Sequence, residues 1–285
     1  MSMYDNKIDL LNHFGIKENF LYSNFSNKYK VKILKKKSGG ERTIKAPISK
    51  LKTIQRKILD EIVAKVQPLE CVYGLSKEKG VKDNAMLHSK NWNREVLCLD
   101  LVDFFNNIHY KNINSVYKGI GFNRENSNVL TKLSTLDKAL PQGSPLSSHL
   151  SSLSVLGMDN DISRYVKSRG LIYSRYVDDV TISGKTISEK YIREIKEIIN
   201  KHKMRTNDQK EKLYKSDEEK NITGVRLIKN NITITDQYEK NLLVMSKDGT
   251  SLKDRTFLGK LSFYKYLNKK RYKEFIKNLF SRFGK

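Results

Sequence analysis

Two short runs of β-branched and aromatic residues, joined by an acidic linker, constrain the fold of this chain more than any other feature. Leu171–Tyr176 and Val180–Ser183 have the composition of strands. Only Val177, Asp178 and Asp179 lie between them, so the two strands are expected to form a tight hairpin. Adjacent carboxylates repel each other in such a turn, and a divalent cation would remove that repulsion. A solvated turn with two surface acids is the alternative.

A second apolar strand ends in a carboxylate. Glu95–Leu101 is predicted to be a buried strand, and Asp100 stands near its end. A carboxylate at this position is costly unless something pairs with it, and Asp178 on the neighbouring hairpin would give a shared cation site. Mg²⁺ prefers oxygen ligands, and two ions about 3.5–4 Å apart can activate a hydroxyl and stabilise a leaving pyrophosphate. A helix cap is the alternative for Asp100, and Asp103 is left out of the metal set because it fits that role equally well.

A loop bounded by prolines lies between these two carboxylate segments. Pro141 and Pro145 restrict its backbone, and Gly143 would let the chain approach a ligand closely. Gln142 can hydrogen-bond a base or a sugar. The alternative is an ordinary helix start, with Ser144 and Pro145 in the first turn.

The charge of the chain points to a polyanionic partner. Lys and Arg number 55 against 31 Asp and Glu, a net charge of +24. Nucleic acid is the first candidate and a membrane surface the second, although no stretch pairs a strong apolar face with a basic one. No apolar run approaches the ~20 residues of a membrane helix, and no signal peptide is visible, so we expect a soluble cytoplasmic protein without a membrane partner.

The order of elements predicts an α+β fold. Helices and a basic hairpin come first, followed by a mixed set of strands and helices, and then a basic helical tail rich in aromatic residues. The hairpin is predicted from Val31–Leu34 and Arg42–Lys45, which flank Ser38-Gly39-Gly40. Further along the chain, a helix is predicted at 146–166 and a second hairpin from strands at 222–228 and 232–235.

The three motifs occur in the order and with the spacing of reverse transcriptases, which this sequence resembles. Asp100 with Phe104 and Phe105 resembles the first catalytic motif of that family. Pro141-Gln142-Gly143 resembles its nucleotide-pocket motif, and Tyr176-Val177-Asp178-Asp179 resembles its Y-x-D-D box.

Two further motifs resemble those of bacterial retron reverse transcriptases, a group II-like branch of the family. Asn84 and His88 match an N-A-x-x-H motif, and Ile222-Thr223-Gly224 resembles a V-T-G motif with Ile in place of Val. The resemblance implies that Asn84, His88, Thr223 and Gly224 contact the retron RNA. From the residues alone, a lone helical His is more often structural.

The resemblance implies a right-hand polymerase with fingers, a palm built on an antiparallel sheet, and a helical thumb. The fingers would be 1–95 with 111–140, the palm 96–110 and 141–235, and the basic thumb 236–285. This length leaves no room for a maturase or RNase H region.

The resemblance also assigns roles at the site. Asp100, Asp178 and Asp179 would be catalytic and would bind two Mg²⁺ ions with the carbonyl of Leu101. The remaining candidates are expected to bind the dNTP, with Phe105 as a steric gate under the sugar: Arg42, Phe105, Gln142, Gly143 and Lys210. Lys212 competes with Lys210 for its role.

The implied function is that of a retron reverse transcriptase. Such an enzyme copies a structured non-coding RNA into a branched RNA–DNA molecule (msDNA), starting from a guanosine 2′-hydroxyl. Its partners would be that RNA, the RNA–DNA hybrid, dNTPs and a separate effector protein in antiphage defence. Another group II-like or diversity-generating reverse transcriptase, and an inactive RNA-binding scaffold, are the alternatives.

Overall fold

The predicted acidic hairpin lies at the centre of a five-stranded sheet in the computed structural model, which describes residues 4, 6–35, 41–76, 78–246 and 254–283. The strands are β1 (Tyr29–Lys35), β2 (Glu41–Pro47), β3 (Val72–Tyr73), β4 (Glu95–Asp100), β5 (Ile172–Tyr176), β6 (Asp179–Gly184), β7 (Lys212–Tyr214), β8 (Asn221–Ile222), β9 (Val225–Ile228) and β10 (Asn231–Ile234).

Helices surround these strands, and two short 3-10 helices occur at Ser26–Lys28 and Val63–Lys65. The α-helices are α1 (Lys7–Phe14), α2 (Glu18–Tyr22), α3 (Ser49–Glu61), α4 (Val81–Ser89), α5 (Phe104–Asn107), α6 (Tyr110–Ile120), α7 (Arg124–Ser134), α8 (Ser147–Ser154), α9 (Leu156–Lys167), α10 (Glu189–Lys201), α11 (Asp236–Ser246), α12 (Arg255–Leu267) and α13 (Lys269–Phe283). None of those in the described ranges is long and apolar enough to cross a membrane.

The central sheet has the strand order β3-β5-β6-β4-β7. Three of its four strand pairings are antiparallel and join β5, β6, β4 and β7. In the fourth, the short edge strand β3 runs parallel to β5. The expectation of an antiparallel palm sheet is therefore correct for four strands and wrong for the edge. β3 also lies inside the range 1–95 that was assigned to the fingers, yet it is part of the palm sheet.

The sheet separates two hydrophobic cores because successive residues of a strand face opposite sides. On β4, Leu97 and Leu99 are buried in the larger core with helices α1, α3 and α6–α10. Val96 faces the smaller core, which contains α4, the β8–β10 sheet and the C-terminal helices α11–α13. The acidic hairpin of β5 and β6 is thus packed between two separate sets of elements.

Three local expectations are wrong. The predicted helix at 146–166 is interrupted at Val155, whose φ of −113° and ψ of 17° leave the helical range, so it forms α8 and α9. The predicted strand at 222–228 is split by a turn at Thr223 and Gly224, which both have positive φ. β8, β9 and β10 form a three-stranded sheet of their own rather than extending the palm sheet. The turn predicted at Ser38-Gly39-Gly40 lies outside the described residues, while its flanking strands pair as expected.

Candidate active site

The three predicted carboxylates meet at one end of the central sheet. Asp100 ends β4 and is paired with Asp179, the first residue of β6, in the antiparallel register. Asp178 lies in the turn just before β6, and its carbonyl accepts a hydrogen bond of 3.0 Å from the backbone N–H of Leu101. Two distant segments of the chain are therefore fixed side by side by main-chain hydrogen bonds.

The turn that carries Asp178 has an unusual backbone. Val177 has a φ of 58°, in the left-handed region that β-branched residues rarely adopt. Arg175 supports it, since its Nη1 donates to the Val177 carbonyl at 2.7 Å. A strained backbone of this kind persists only where the surroundings determine it, and it is common at functional sites.

Arg175 is itself held by a buried ion pair with Asp159 on α9, and both side chains are fully buried. Its Nε donates to Asp159 Oδ1 at 2.8 Å and its Nη2 to Oδ2 at 2.6 Å. The Tyr173 hydroxyl donates to the same carboxylate at 2.6 Å. This two-pronged geometry fixes the direction of the guanidinium and so the position of the turn.

Burial and mutual repulsion raise the pKa values of the paired acids. Burial first, and then the neighbouring Asp178 and Asp100 carboxylates, raise the pKa of Asp179 to about 7. The pKa of Asp178 is also raised, by burial and by Asp100. The site thus concentrates more negative charge than its own surroundings balance, which favours a bound cation.

Lys210 is the cation that contacts Asp100 in this structure. Its Nζ lies 2.7 Å from Asp100 Oδ1, and the Asn207 N–H donates to the Asp100 carbonyl at 2.8 Å. Lys212, the competing candidate, instead lies over the ring of Tyr214 at 4.1 Å. The geometry favours Lys210 of the two.

The donor set suits a hard divalent cation. Asp100, Asp178 and Asp179 supply only carboxylate oxygens, which Mg²⁺ and Mn²⁺ prefer. Within the described ranges, no group of three or more His, Cys, Asp or Glu side chains is already gathered as a metal cage. The residues present fit the metal chemistry, and their repulsion gives it a physical reason.

The dNTP candidates Arg42 and Phe105 come from separate segments of the chain and differ in exposure. Arg42 on β2 is exposed and close enough to Asp178 to lower its pKa. Phe105 is half-buried and packs edge-on against buried Phe104, with ring centroids 5.6 Å apart. Asp103 occupies the N-cap position of α5 at a φ of 45° without a side-chain capping bond.

Gly143 lies where strand β2 closely approaches the loop. Its φ is 116°, and a Cβ there would lie 3.0 Å from Ile44 Cγ2 and 3.2 Å from the Lys45 carbonyl. This close approach requires a glycine by itself, and contact between Gly143 and a dNTP stays a prediction. The Lys45 N–H also donates to the Gln142 carbonyl at 2.7 Å, so the strand of Arg42 is attached to the loop of Gln142.

The expectation that Asn84 and His88 contact RNA is wrong for this structure, because both side chains have no exposed surface. His88 lies between two serines of the hairpin, with Nδ1 2.7 Å from Ser183 Oγ and Nε2 2.8 Å from Ser174 Oγ. Asn84 accepts from Ser174 Oγ at 2.6 Å. Burial lowers the pKa of His88 to about 3, so it is neutral at pH 7.

Thr223 and Gly224 occupy the turn between β8 and β9, beside the active site. Thr223 is half-buried with a φ of 49°, and its hydroxyl lies close enough to the Asp179 carboxylate to lower the pKa of that acid. Gly224 has a φ of 77° and open space where a Cβ would point. RNA contact at Thr223 and Gly224 stays a prediction.

Sequence reasoning missed the residues that support the hairpin. Arg175 is a charged residue inside the apolar and aromatic run at 171–177, and a buried charge implies a buried partner. That signal was present in the sequence, whereas Asp159 stands among other polar residues and gave none. Ser174 and Ser183 offered no such signal, since serine is common in every environment.

The comparisons with known proteins agree with the fold and identify a family. A family model described as "Reverse transcriptase (RNA-dependent DNA polymerase)" matches residues 33–227. The retron Ec86 reverse transcriptase of Escherichia coli is 34% identical over 57% of this chain and 51% of its own length. The retron Se72 reverse transcriptase of Salmonella heidelberg (strain 579083-10) is 33% identical over 61% of this chain and 47% of its own length. The chain spans about half the length of these relatives.

Solved structures confirm the right-hand polymerase fold. Telomerase from Candida albicans, in complex with a fragment of telomeric RNA, covers 89% of this chain and 56% of its own, with a TM-score of 0.53 and 10% identity. Apo telomerase from Candida tropicalis, truncated from its C-terminal domain, covers 75% and 56%, with a TM-score of 0.52 and 13% identity. At these identities the likeness concerns the fold alone. The sequence resemblance to retron reverse transcriptases is confirmed by the curated relatives.

Proposed function

This chain belongs to the reverse transcriptase (RNA-dependent DNA polymerase) family, and from that premise we propose that it extends a DNA strand on an RNA template. One observation carries the proposal. Asp100, Asp178 and Asp179, from two distant segments, lie together at the end of one sheet, and Asp100 is paired in register with Asp179. An RNA-binding scaffold without activity would have no use for three mutually repelling carboxylates.

We propose that the three carboxylates and the carbonyl of Leu101 hold two Mg²⁺ ions. Such ions would lower the barrier by activating the primer hydroxyl and neutralising charge on the departing pyrophosphate. Members of the family generally use divalent metal ions, while the choice of Mg²⁺ and the number of ions are proposals. Their support is the donor set, which consists of hard oxygen atoms only.

The side chains around the carboxylates would orient the incoming dNTP. Arg42, exposed beside Asp178, would contact the triphosphate through charge-assisted hydrogen bonds. Lys210 would exchange its bond with Asp100 for the phosphates once cations neutralise that carboxylate. Phe105 would lie under the sugar and exclude a 2′-hydroxyl, with Gln142 and Gly143 along the base.

We propose that the physiological template is a retron non-coding RNA. Two observations support this proposal. The chain is similar to retron enzymes of two bacteria, and its excess of basic residues suits an RNA–DNA duplex. On this proposal the chain starts from a guanosine 2′-hydroxyl, makes a branched RNA–DNA product in the bacterial cytoplasm, and works with a separate effector protein against phage.

The proposal is tested by primer extension with dTTP and Mg²⁺ on poly(rA) primed with oligo(dT). Asp178→Asn should abolish DNA synthesis and leave RNA affinity within about twofold of the wild type, because the amide keeps the size but loses the charge. Asp161→Asn is the matched control. Asp161 contacts His202 and Arg164 away from the site, and that variant should keep the wild-type rate.

Each alternative has a distinct outcome. Wild-type protein that binds RNA but never extends the primer would identify a scaffold. Synthesis at the wild-type rate by Asp178→Asn would refute the metal assignment. An active enzyme encoded without an inverted-repeat RNA beside its gene would favour another group II-like or diversity-generating reverse transcriptase.

A further inference from the structure

The polar residues between α4 and the active site form a series of hydrogen bonds that ends beside the Asp179 carboxylate. The Thr223 hydroxyl lies near that carboxylate, and the hydrogen bonds run from Thr223 to Asn84 and onward to Ser174. They continue through His88 to Ser183 and Asn91. Asn84, His88, Ser174 and Ser183 have no exposed surface and Asn91 has 4%, so water does not compete with the bonds among these five residues.

The carboxylate at one end fixes the direction of the bonds once the proposed cations keep Asp179 ionised. An ionised carboxylate only accepts, so the nearby Thr223 hydroxyl then directs its single proton at Asp179. Thr223 can then only accept from Asn84, whose Nδ2 lies 3.5 Å from its Oγ1, the longest link of the series. With Nδ2 directed at Thr223, the Oδ1 of Asn84 faces Ser174 and accepts its proton at 2.6 Å.

The same count of protons fixes the state of His88. Because Ser174 has given its proton to Asn84, it must accept from the ring at Nε2, 2.8 Å away. Nε2 therefore carries the proton of the neutral imidazole, and Nδ1 accepts from the Ser183 hydroxyl. Ser183 in turn accepts from Asn91 Nδ2 at 2.9 Å. Each hydroxyl and the ring N–H of His88 donates once in this series, and bonds aligned in this way strengthen one another.

The backbone at Thr223 supports a role in positioning rather than in packing. Its φ of 49° places a β-branched residue in the left-handed region, where it persists only if the surroundings determine it. This conformation brings the hydroxyl to both Asn84 and Asp179. A residue kept only to turn between β8 and β9 would be Gly or Asn at this φ.

From this geometry we propose that Asn84 and His88 are positioning residues for the polymerase reaction. Asn84, acting through Thr223, orients the Asp179 carboxylate, while His88 holds Asn84 and both strands of the hairpin in place. The proposal rests on the proposed polymerase function and replaces direct RNA contact as the role of the Asn84–His88 motif.

Kinetics of Asn84→Leu, Thr223→Val and the double variant test the proposal with poly(rA), oligo(dT) and dTTP. Each single change should lower kcat by about tenfold, because each removes one hydrogen bond from the path that orients Asp179, with RNA affinity within about twofold of the wild type. The double variant should lose no more than the worse single variant, because both act on one path. Thr223→Ser keeps the hydroxyl and should retain the kcat of the wild type.

Asn126→Leu is the matched control for loss of a buried amide. Asn126 is fully buried on α7 and bonds the carbonyl of Tyr4, outside the series. Asn126→Leu should lower stability and leave kcat unchanged. If Asn84→Leu instead weakens RNA affinity and leaves kcat unchanged, the motif contacts RNA and the proposal is wrong.

Nitrogen-15 NMR of the wild-type protein tests the direction of the series without any reaction. The His88 ring should be neutral at pH 7 with its proton on Nε2. A proton on Nδ1, or on both nitrogens, would overturn the proposal. If the wild type itself makes no DNA, the proposed function fails, and the His88 tautomer still decides whether the series runs toward Asp179.

Discussion

The two faces of the hairpin formed by β5 and β6 are held by different kinds of contact. On the α9 face, a buried ion pair joins Arg175 to Asp159 and supports the turn at Val177. On the α4 face, neutral side chains around His88 contact Ser174 and Ser183. The two systems differ in what they demand: a buried ion pair fails when either charge is lost, whereas a neutral series loses one bond at a time.

Strand β5 takes part in both kinds of contact. Ser174 and Arg175 are neighbours on β5 and so point to opposite faces of the sheet. The Arg175 side chain stabilises the strained turn at Val177. The hydrogen bonds that begin at Ser174 reach the neighbourhood of Asp179 and add no further charge near the three carboxylates, which already repel one another.

Removing one charge from the α9 face should have the largest effect on stability. Asp159→Ala leaves Arg175 buried without a partner, so the free energy of unfolding should fall by about 3–5 kcal/mol. Chemical denaturation measures it. Asp159→Leu combined with Arg175→Met should recover most of the loss, because neither charge remains. A loss below about 1 kcal/mol for Asp159→Ala would mean that the pair does not hold the hairpin.

Lowering the pH should destabilise the hydrogen bonds around His88 on the α4 face. The pKa of His88 is lowered to about 3 in the folded protein against ~6.5 when unfolded, so the unfolded state binds the proton first as the pH falls. Its contribution to stability is complete above pH ~6.5 and declines below it, by about 2 kcal/mol at pH 5.

Urea denaturation at pH 7 and pH 5 measures this loss. His88→Gln, which does not titrate, should lose less between the two pH values than the wild type. This comparison separates His88 from His149, whose pKa burial also lowers. Equal losses in the two proteins would contradict a buried neutral His88.

The smallest effects should separate two similar serines. Ser174→Ala and Ser183→Ala each remove one buried hydroxyl beside His88 and should lower the free energy of unfolding by about 1 kcal/mol. Only Ser174 lies between His88 and Asp179, so Ser174→Ala alone should lower kcat several-fold. Equal kcat values for the two variants would show that the α4 face acts only on stability.

Local sequence patterns were reliable where one strong signal decided the outcome. The composition on either side of Asp178 and Asp179 predicted the hairpin, and the apolar run before Asp100 predicted β4. Both segments are short and strongly patterned, and their local strand preference agrees with the sheet that they join. The run at 222–228 had the same composition, but the turn at Thr223 divides it, and such a turn depends on what the neighbouring elements contact.

Residues with two plausible roles were decided only by their surroundings. Resemblance placed Asn84 and His88 at an RNA surface, and burial places them behind the catalytic hairpin. Gly143 was assigned to a ligand, and strand β2 also approaches it closely. Whether a polar side chain faces solvent or a buried partner depends on residues that are distant along the chain.

Local patterning and motif order were enough to identify the family, the central hairpin and the three acids. The neighbours of each strand, the position of Asp100 opposite Asp179 and the burial of polar groups became visible only in the folded chain. Pairing and burial are properties of segments brought together from far apart, and no single segment encodes its partners.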